Sequence, residues 1–166
     1  MLFNSFNISH LIPFTILVLL GTSLVLFFIP SKQVQVIRMI GLSSSFFVFF
    51  CSLFLWIFFD KEYARFQFVY DFAWIPASNL NLSLGIDGIS IFLVILTALL
   101  IPICLLASWS SIKTNYKEYV IAFLIMEALL ILVFSVRDLL LFYICFESVL
   151  IPMFIIIGVW GSRERK

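Results

Sequence analysis

Five stretches of this sequence are each long enough and apolar enough to cross a lipid bilayer: Leu11–Ile29, Met39–Phe59, Ile89–Trp109, Tyr119–Val136 and Leu139–Gly158. The hydrocarbon core of a bilayer is about 30 Å thick and is crossed by about 20 helical residues. No water reaches the backbone there, so each peptide group must find its hydrogen-bond partner within its own segment, and runs of this length are helices. With 64% of residues hydrophobic and 11% charged, the chain lies far outside soluble composition. The sequence therefore predicts an all-α integral membrane fold, a single membrane domain over residues 1–166. The first span has no basic segment before it and no small-residue cleavage site, so it reads as a retained helix and not a signal peptide.

The longest segment between spans, residues 60–87, carries a different period. Phe66, Phe68, Tyr70, Phe72 and Trp74 alternate with Gln67, Val69, Asp71 and Ala73, and Leu80, Leu82 and Leu84 alternate with Asn81, Ser83 and Gly85. Period two is a strand signal, and Pro76 and Asn79 between the runs supply turn chemistry. The expectation is a small extramembrane β-hairpin whose aromatic face packs on helix ends or on a neighbouring subunit. An irregular loop with interfacial aromatics is the plainer alternative, since Trp and Tyr favour that depth anyway.

The charges set an orientation. Lys32, Arg38, Lys113, Lys117, Arg163, Arg165 and Lys166 fall on one side of the spans, seven in all, against three on the other, Lys61, Arg65 and Arg137. The positive-inside rule puts the first side, with the C-terminus, in the cytoplasm or the mitochondrial matrix. A net charge of +1 offers no basic surface for nucleic acid. Cys51, Cys104 and Cys145 all lie in predicted spans, share no metal spacing and read as small buried hydrophobes. Pro102 and Pro152 read as tolerated kinks, and His10 as a wetted interfacial residue. The sequence carries no glycine-rich phosphate loop, cysteine cluster or nucleophile–base pair, so nucleotide, redox and hydrolytic chemistry find no support in it.

Glu127 and Glu147 are the only carboxylates inside the predicted spans. A charge at the centre of a membrane helix costs roughly 2.5–3.5 kcal/mol, and such residues usually face a protein interior or water and mark ion pathways. Glu127 lies ten residues before Arg137 and Glu147 ten residues after it. In an antiparallel pair with a tight turn, both are then about 15 Å from that turn, at similar depth. Spacing does not say whether they face each other. If they do, the two would not both ionise easily, and a carboxyl that takes and releases a proton results. The plainer readings are a Glu127 carboxyl bonded to a backbone carbonyl and a Glu147 paired to a basic residue of another chain. Asp138 reads as a helix N-cap and Arg137 as an interfacial anchor.

LGIDGISIFLVILTALLIPICLLASW (84–109) and MEALLILVFSVRDLLLFYICFESVLIPMFIIIGVWG (126–161) resemble the antiporter-like membrane chains of mitochondrial respiratory complex I, NADH:ubiquinone oxidoreductase. The resemblance covers nearly the whole chain. The DGIS turn entering a helix and the FE-x-x-L-I-P helix are specific in combination, and the texture, with 21 phenylalanines, is similar to mitochondrial members. The resemblance implies a multi-pass subunit of the mitochondrial inner membrane that contributes to proton translocation, N-terminus in the intermembrane space and C-terminus in the matrix. It matches Glu147 to a glutamate that pairs with a lysine on a broken helix further along the chain, with Glu127 a possible second carboxylate. It also implies a hairpin between spans two and three. NAD, FMN, iron–sulfur clusters and ubiquinone would be held by other subunits, with no cofactor in this chain. The expected partners are the remainder of the same subunit, neighbouring antiporter-like chains, accessory subunits and lipid. Family members have many more than five spans, and the partner lysine is absent here. Two rival readings stay open: a structural membrane subunit that pumps nothing, and a subunit of a related multi-subunit Na⁺/H⁺ antiporter.

Overall fold

A computed structural model describes residues 9–62, 65–75, 80–112 and 114–161. In chain order it comprises α1 (Leu11–Phe28), α2 (Val34–Ile57), β1 (Gln67–Ile75), β2 (Leu80–Ile86), α3 (Ser90–Ala107), α4 (Tyr116–Ser135) and α5 (Leu139–Trp160). All five helices are long and apolar enough to cross a membrane. Two begin earlier than the apolar runs predict: α2 at Val34 rather than Met39, and α4 at Tyr116 rather than Tyr119. Hydropathy stops at the first charge, whereas a helix can carry charge in its first turns where the side chain reaches the interface.

Those early turns hold basic residues that tie helices together. The Arg38 guanidinium donates to the Trp109 carbonyl at 2.5 Å and lies 5.0 Å from the Trp109 ring centroid and 4.7 Å from that of Tyr116. Lys117 Nζ donates to the carbonyls of Phe27 (2.6 Å) and Ile29 (2.9 Å), so a cation satisfies carbonyls left open at the end of α1. On the same side, Trp160 Nε1 donates to Thr114 O at 3.0 Å, and its ring stands edge-on to Tyr119.

Helix α4 is the hub. It packs against each of the other four helices and against β2, whereas the one extensive partner of α5 is α4. Along α2 the buried positions are mostly small, Gly41, Ser44, Ser45 and Ser52 among them. Small residues let backbones approach in a membrane, where apolar burial alone gives no drive to associate. A methyl group placed on Gly41 would meet Val120 Cγ1 at 2.4 Å.

The hairpin forms as expected. Strands β1 and β2 are antiparallel, pairing Tyr70 with Leu84 and Phe72 with Leu82. The turn expected at Pro76 and Asn79 lies outside the described residues, as do Lys113 and the basic tail. Register shifts between Gln67 and Tyr70 break the clean alternation, and Phe68 takes φ 54°, a left-handed conformation uncommon for a residue with a side chain. Phe68 then reaches Phe59 just past α2, and Tyr70 stands edge-on to the exposed His10 just before α1. Phe68 and Tyr70 thus pack on helix ends, while Phe72 stays 52% exposed.

Arg137, between α4 and α5, does more than anchor an interface. Its backbone N–H donates to Ser83 O at 2.9 Å, and Val136 bridges Leu84, so this turn adds one more rung to the edge of β2. Its side chain reaches Ser83 Oγ (3.3 Å) and Asp71 (4.0 Å) and covers the Phe66 ring at 5.0 Å. Arg137→Ala keeps the backbone bond and removes the rest, so the expected loss is about 1 kcal/mol. Amide exchange in β1 and β2 should quicken a few-fold while α1 and α2 are unchanged.

Both neighbouring helix starts are capped. Asp138 Oδ1 accepts from Leu140 N (2.9 Å) and Leu141 N (3.1 Å), as expected of an N-cap. Asp87 Oδ1 accepts from Ser90 N at 2.6 Å while Ser90 Oγ accepts from Asp87 N at 2.9 Å, a reciprocal cap for α3. The Ser90 N–H, more than any other group, holds the Asp87 carboxyl below the ordinary carboxylate range; slight burial opposes it. A depressed carboxylate favours the folded state above its unfolded pKa, and that contribution is lost as pH falls through the folded value.

Candidate functional site

The two intramembrane acids sit in opposite surroundings. Glu127, halfway along α4, is 0% exposed and faces α2. There Ser45 Oγ, also 0% exposed, donates to Glu127 Oε2 at 2.9 Å. The partner is thus a serine hydroxyl of another helix and not the backbone carbonyl considered from sequence. Glu127 Oε1 has no hydrogen-bond partner among the described residues. One turn away on the same face of α4 stand Leu124 and Ile131, both buried, and Val48 follows Ser45 on α2. No Lys, Arg or His among the described residues pairs with Glu127.

Glu147 is exposed, midway along α5. Two residues round the helix from the buried Cys145, it is turned about 200° away from the packed face. It stands in a stripe with Tyr143, Leu150, Ile151 and Phe154, all exposed and otherwise apolar. Among the described residues Glu147 makes no hydrogen bond or ion pair. Glu127 points into the bundle and Glu147 out of it, so the two carboxylates at similar depth do not face each other. Ser45 was invisible to a search for charges. The available signal was the run Ser43–Ser45 inside an apolar span.

A family model described as NADH-ubiquinone oxidoreductase chain 4, amino terminus, matches residues 11–136. The chain belongs to this family. The chain 4 protein of Arabidopsis thaliana is 58% identical over 161 residues, covering 97% of this chain and 32% of that one. That of Prototheca wickerhamii is 53% identical over 180 residues, covering 99% of this chain and 34% of its own length. The chain therefore spans about a third of the length of the chain 4 relatives it matches. Among solved structures, respiratory complex I from Thermus thermophilus with bound NADH contains a chain with the same fold. The TM-score is 0.73 at 22% identity, over 90% of this chain and 29% of that one.

Membership of the chain 4 family gives the exposed stripe on α5 a context. Its relatives continue well beyond this length. That stripe, Glu147 included, points away from the helices described here. Glu127, by contrast, lies inside the segment matched by the chain 4 amino-terminal model and is enclosed by this chain's own helices.

Proposed function

We propose that this chain forms the amino-terminal part of a membrane subunit of NADH:ubiquinone oxidoreductase and contributes to proton translocation driven by electron transfer to ubiquinone. Glu147 is the carboxylate that carries or pairs with the moving charge. A lysine from the remainder of the subunit, in the same or a separate polypeptide, completes it. The observation that carries this reading is the exposed position of Glu147 on the apolar face of α5. An ionised carboxyl facing lipid is strongly disfavoured, so polypeptide must cover that face and offer a cation or water. The family to which the chain belongs supports the electron-transfer partner.

The membrane in this reading is the mitochondrial inner membrane, and the seven-to-three distribution of Lys and Arg supports an N-terminus in the intermembrane space and a C-terminus in the matrix. NAD, FMN, iron–sulfur clusters and ubiquinone belong to other subunits of the complex. Neighbouring antiporter-like and accessory chains flank this one, together with lipid. The chemistry asked of this chain is the movement of a proton.

Sealed membrane vesicles carrying the complex test the reading. NADH oxidation should drive proton transport at the same rate with and without Na⁺. Transport that follows Na⁺ would assign the chain to antiport instead, and normal pumping in vesicles whose complex lacks this chain would leave it a structural role.

A further inference from the structure

The proposed proton transfer at Glu147 makes no use of Glu127. Its position is nonetheless the most unusual in the molecule: a carboxyl with no exposed surface, one oxygen bonded to a serine of the facing helix and the other without a partner among the described residues. Packing does not require it. Leucine would fill the site, and glutamine would keep an oxygen for Ser45. The seam around it is tight, since Gly41 against Val120 brings α2 and α4 together on one side of the rung, and Ser52 of α2 is buried on the other. Ser135 Oγ is likewise without a partner among the described residues.

From this geometry we infer that Glu127 and Ser45 form a second proton-binding site, between α2 and α4 and separate from Glu147. Ser45 holds Oε2 by donating its hydroxyl hydrogen, which leaves Oε1 as the oxygen that takes the proton. A hydronium ion reaching the seam gives its proton to Oε1, forming the O–H bond of a carboxylic acid and leaving water. The reverse step returns the proton to water, with no change in oxidation state. Buried polar atoms are matched by partners or by ordered water almost without exception, and Oε1 is the atom of this seam that water would meet.

The binding of the proton stands independently of the translocation proposed above; only its use in pumping rests on that reading. Infrared difference spectroscopy of the assembled complex between two pH values, with no NADH added, tests the binding alone. The expected result is a carboxylic-acid carbonyl band that shifts in heavy water, is absent in Glu127→Gln and moves in frequency in Ser45→Ala, where Oε2 loses its donor. A band set identical in wild type and Glu127→Gln would overturn the inference. Glu127→Leu serves as the packing control: equal assembly of Glu127→Gln and Glu127→Leu with wild type, together with loss of the band, excludes a merely structural role. Should the band behave as expected while Glu147→Gln pumps normally, the proton site stands and the assignment of Glu147 fails.

Discussion

Glu147→Gln is expected to leave the complex assembled and to abolish most NADH-driven proton transport. The side chain is exposed on α5 and makes no hydrogen bond within the described residues, so an isosteric amide breaks nothing inside this chain. It removes only the capacity to hold a charge or a proton. A positioned proton donor or acceptor contributes typically about 10²-fold or more to the rate of the step it serves, so a fall of at least about tenfold in coupled transport is expected. Ser148→Ala is the local control. Its hydroxyl only returns to the Ile144 carbonyl of the same helix, and transport there should match wild type. Normal proton-to-electron ratios in assembled Glu147→Gln complex would remove the assigned role.

The largest structural effect is expected at Gly41. In Gly41→Leu the first added carbon would meet Val120 Cγ1 at 2.4 Å. Val120 is 1% exposed and β-branched, so it cannot swing aside. Overpacking of this kind costs about 1–3 kcal/mol. Separating α2 from α4 also breaks the 2.9 Å bond between Ser45 and Glu127, and an unsatisfied buried group adds about 1–3 kcal/mol more. The two together would remove much of the margin of a typical folded domain. Thermal inactivation of the assembled complex measures it. Gly41→Ala alone makes the same 2.4 Å contact, and combining it with Val120→Ala should recover most of the loss it causes, because the second change opens the space that the first occupies. No recovery would show that Gly41 matters for a reason other than its contact with Val120.

The number of helices and the hairpin were legible in the sequence because both rest on local rules. Run length gives spans, and alternation gives strands. That Glu127 and Glu147 lie level along their helices, at equal distance from the turn between α4 and α5, was legible for the same reason, since rise per residue is fixed. Their direction was not. On α4 and α5 apolar residues occupy every side, because lipid and protein interior are equally apolar, and no periodicity distinguishes the packed face from the open one. Only tertiary packing turns Glu127 toward Ser45 and Glu147 away. Arg38 and Lys117 escaped for a related reason. Each lies outside the predicted spans, yet each sits in a helix and bonds to carbonyl oxygen of another segment. Arg137 was placed correctly between two spans, but its hold on Ser83, Asp71 and Phe66 joins parts of the chain more than fifty residues apart, beyond any local pattern.

The rung between Val136–Arg137 and β2 imposes an order on biogenesis. When the ribosome has delivered residues up to the end of α3, both strands of the hairpin have been made, but the Val136–Arg137 segment that pairs with the edge of β2 has not. An unpaired strand edge invites association with any other extended chain. That edge is closed by a segment that arrives only after α4 has threaded the bilayer and its far end has emerged beside the hairpin. Stalling translation within α4 should therefore leave Ser83 O open to strand partners, and release should seal it in the same event that starts α5. The turn thus works as a latch in time, closing the edge of β2 only once the fourth crossing is complete.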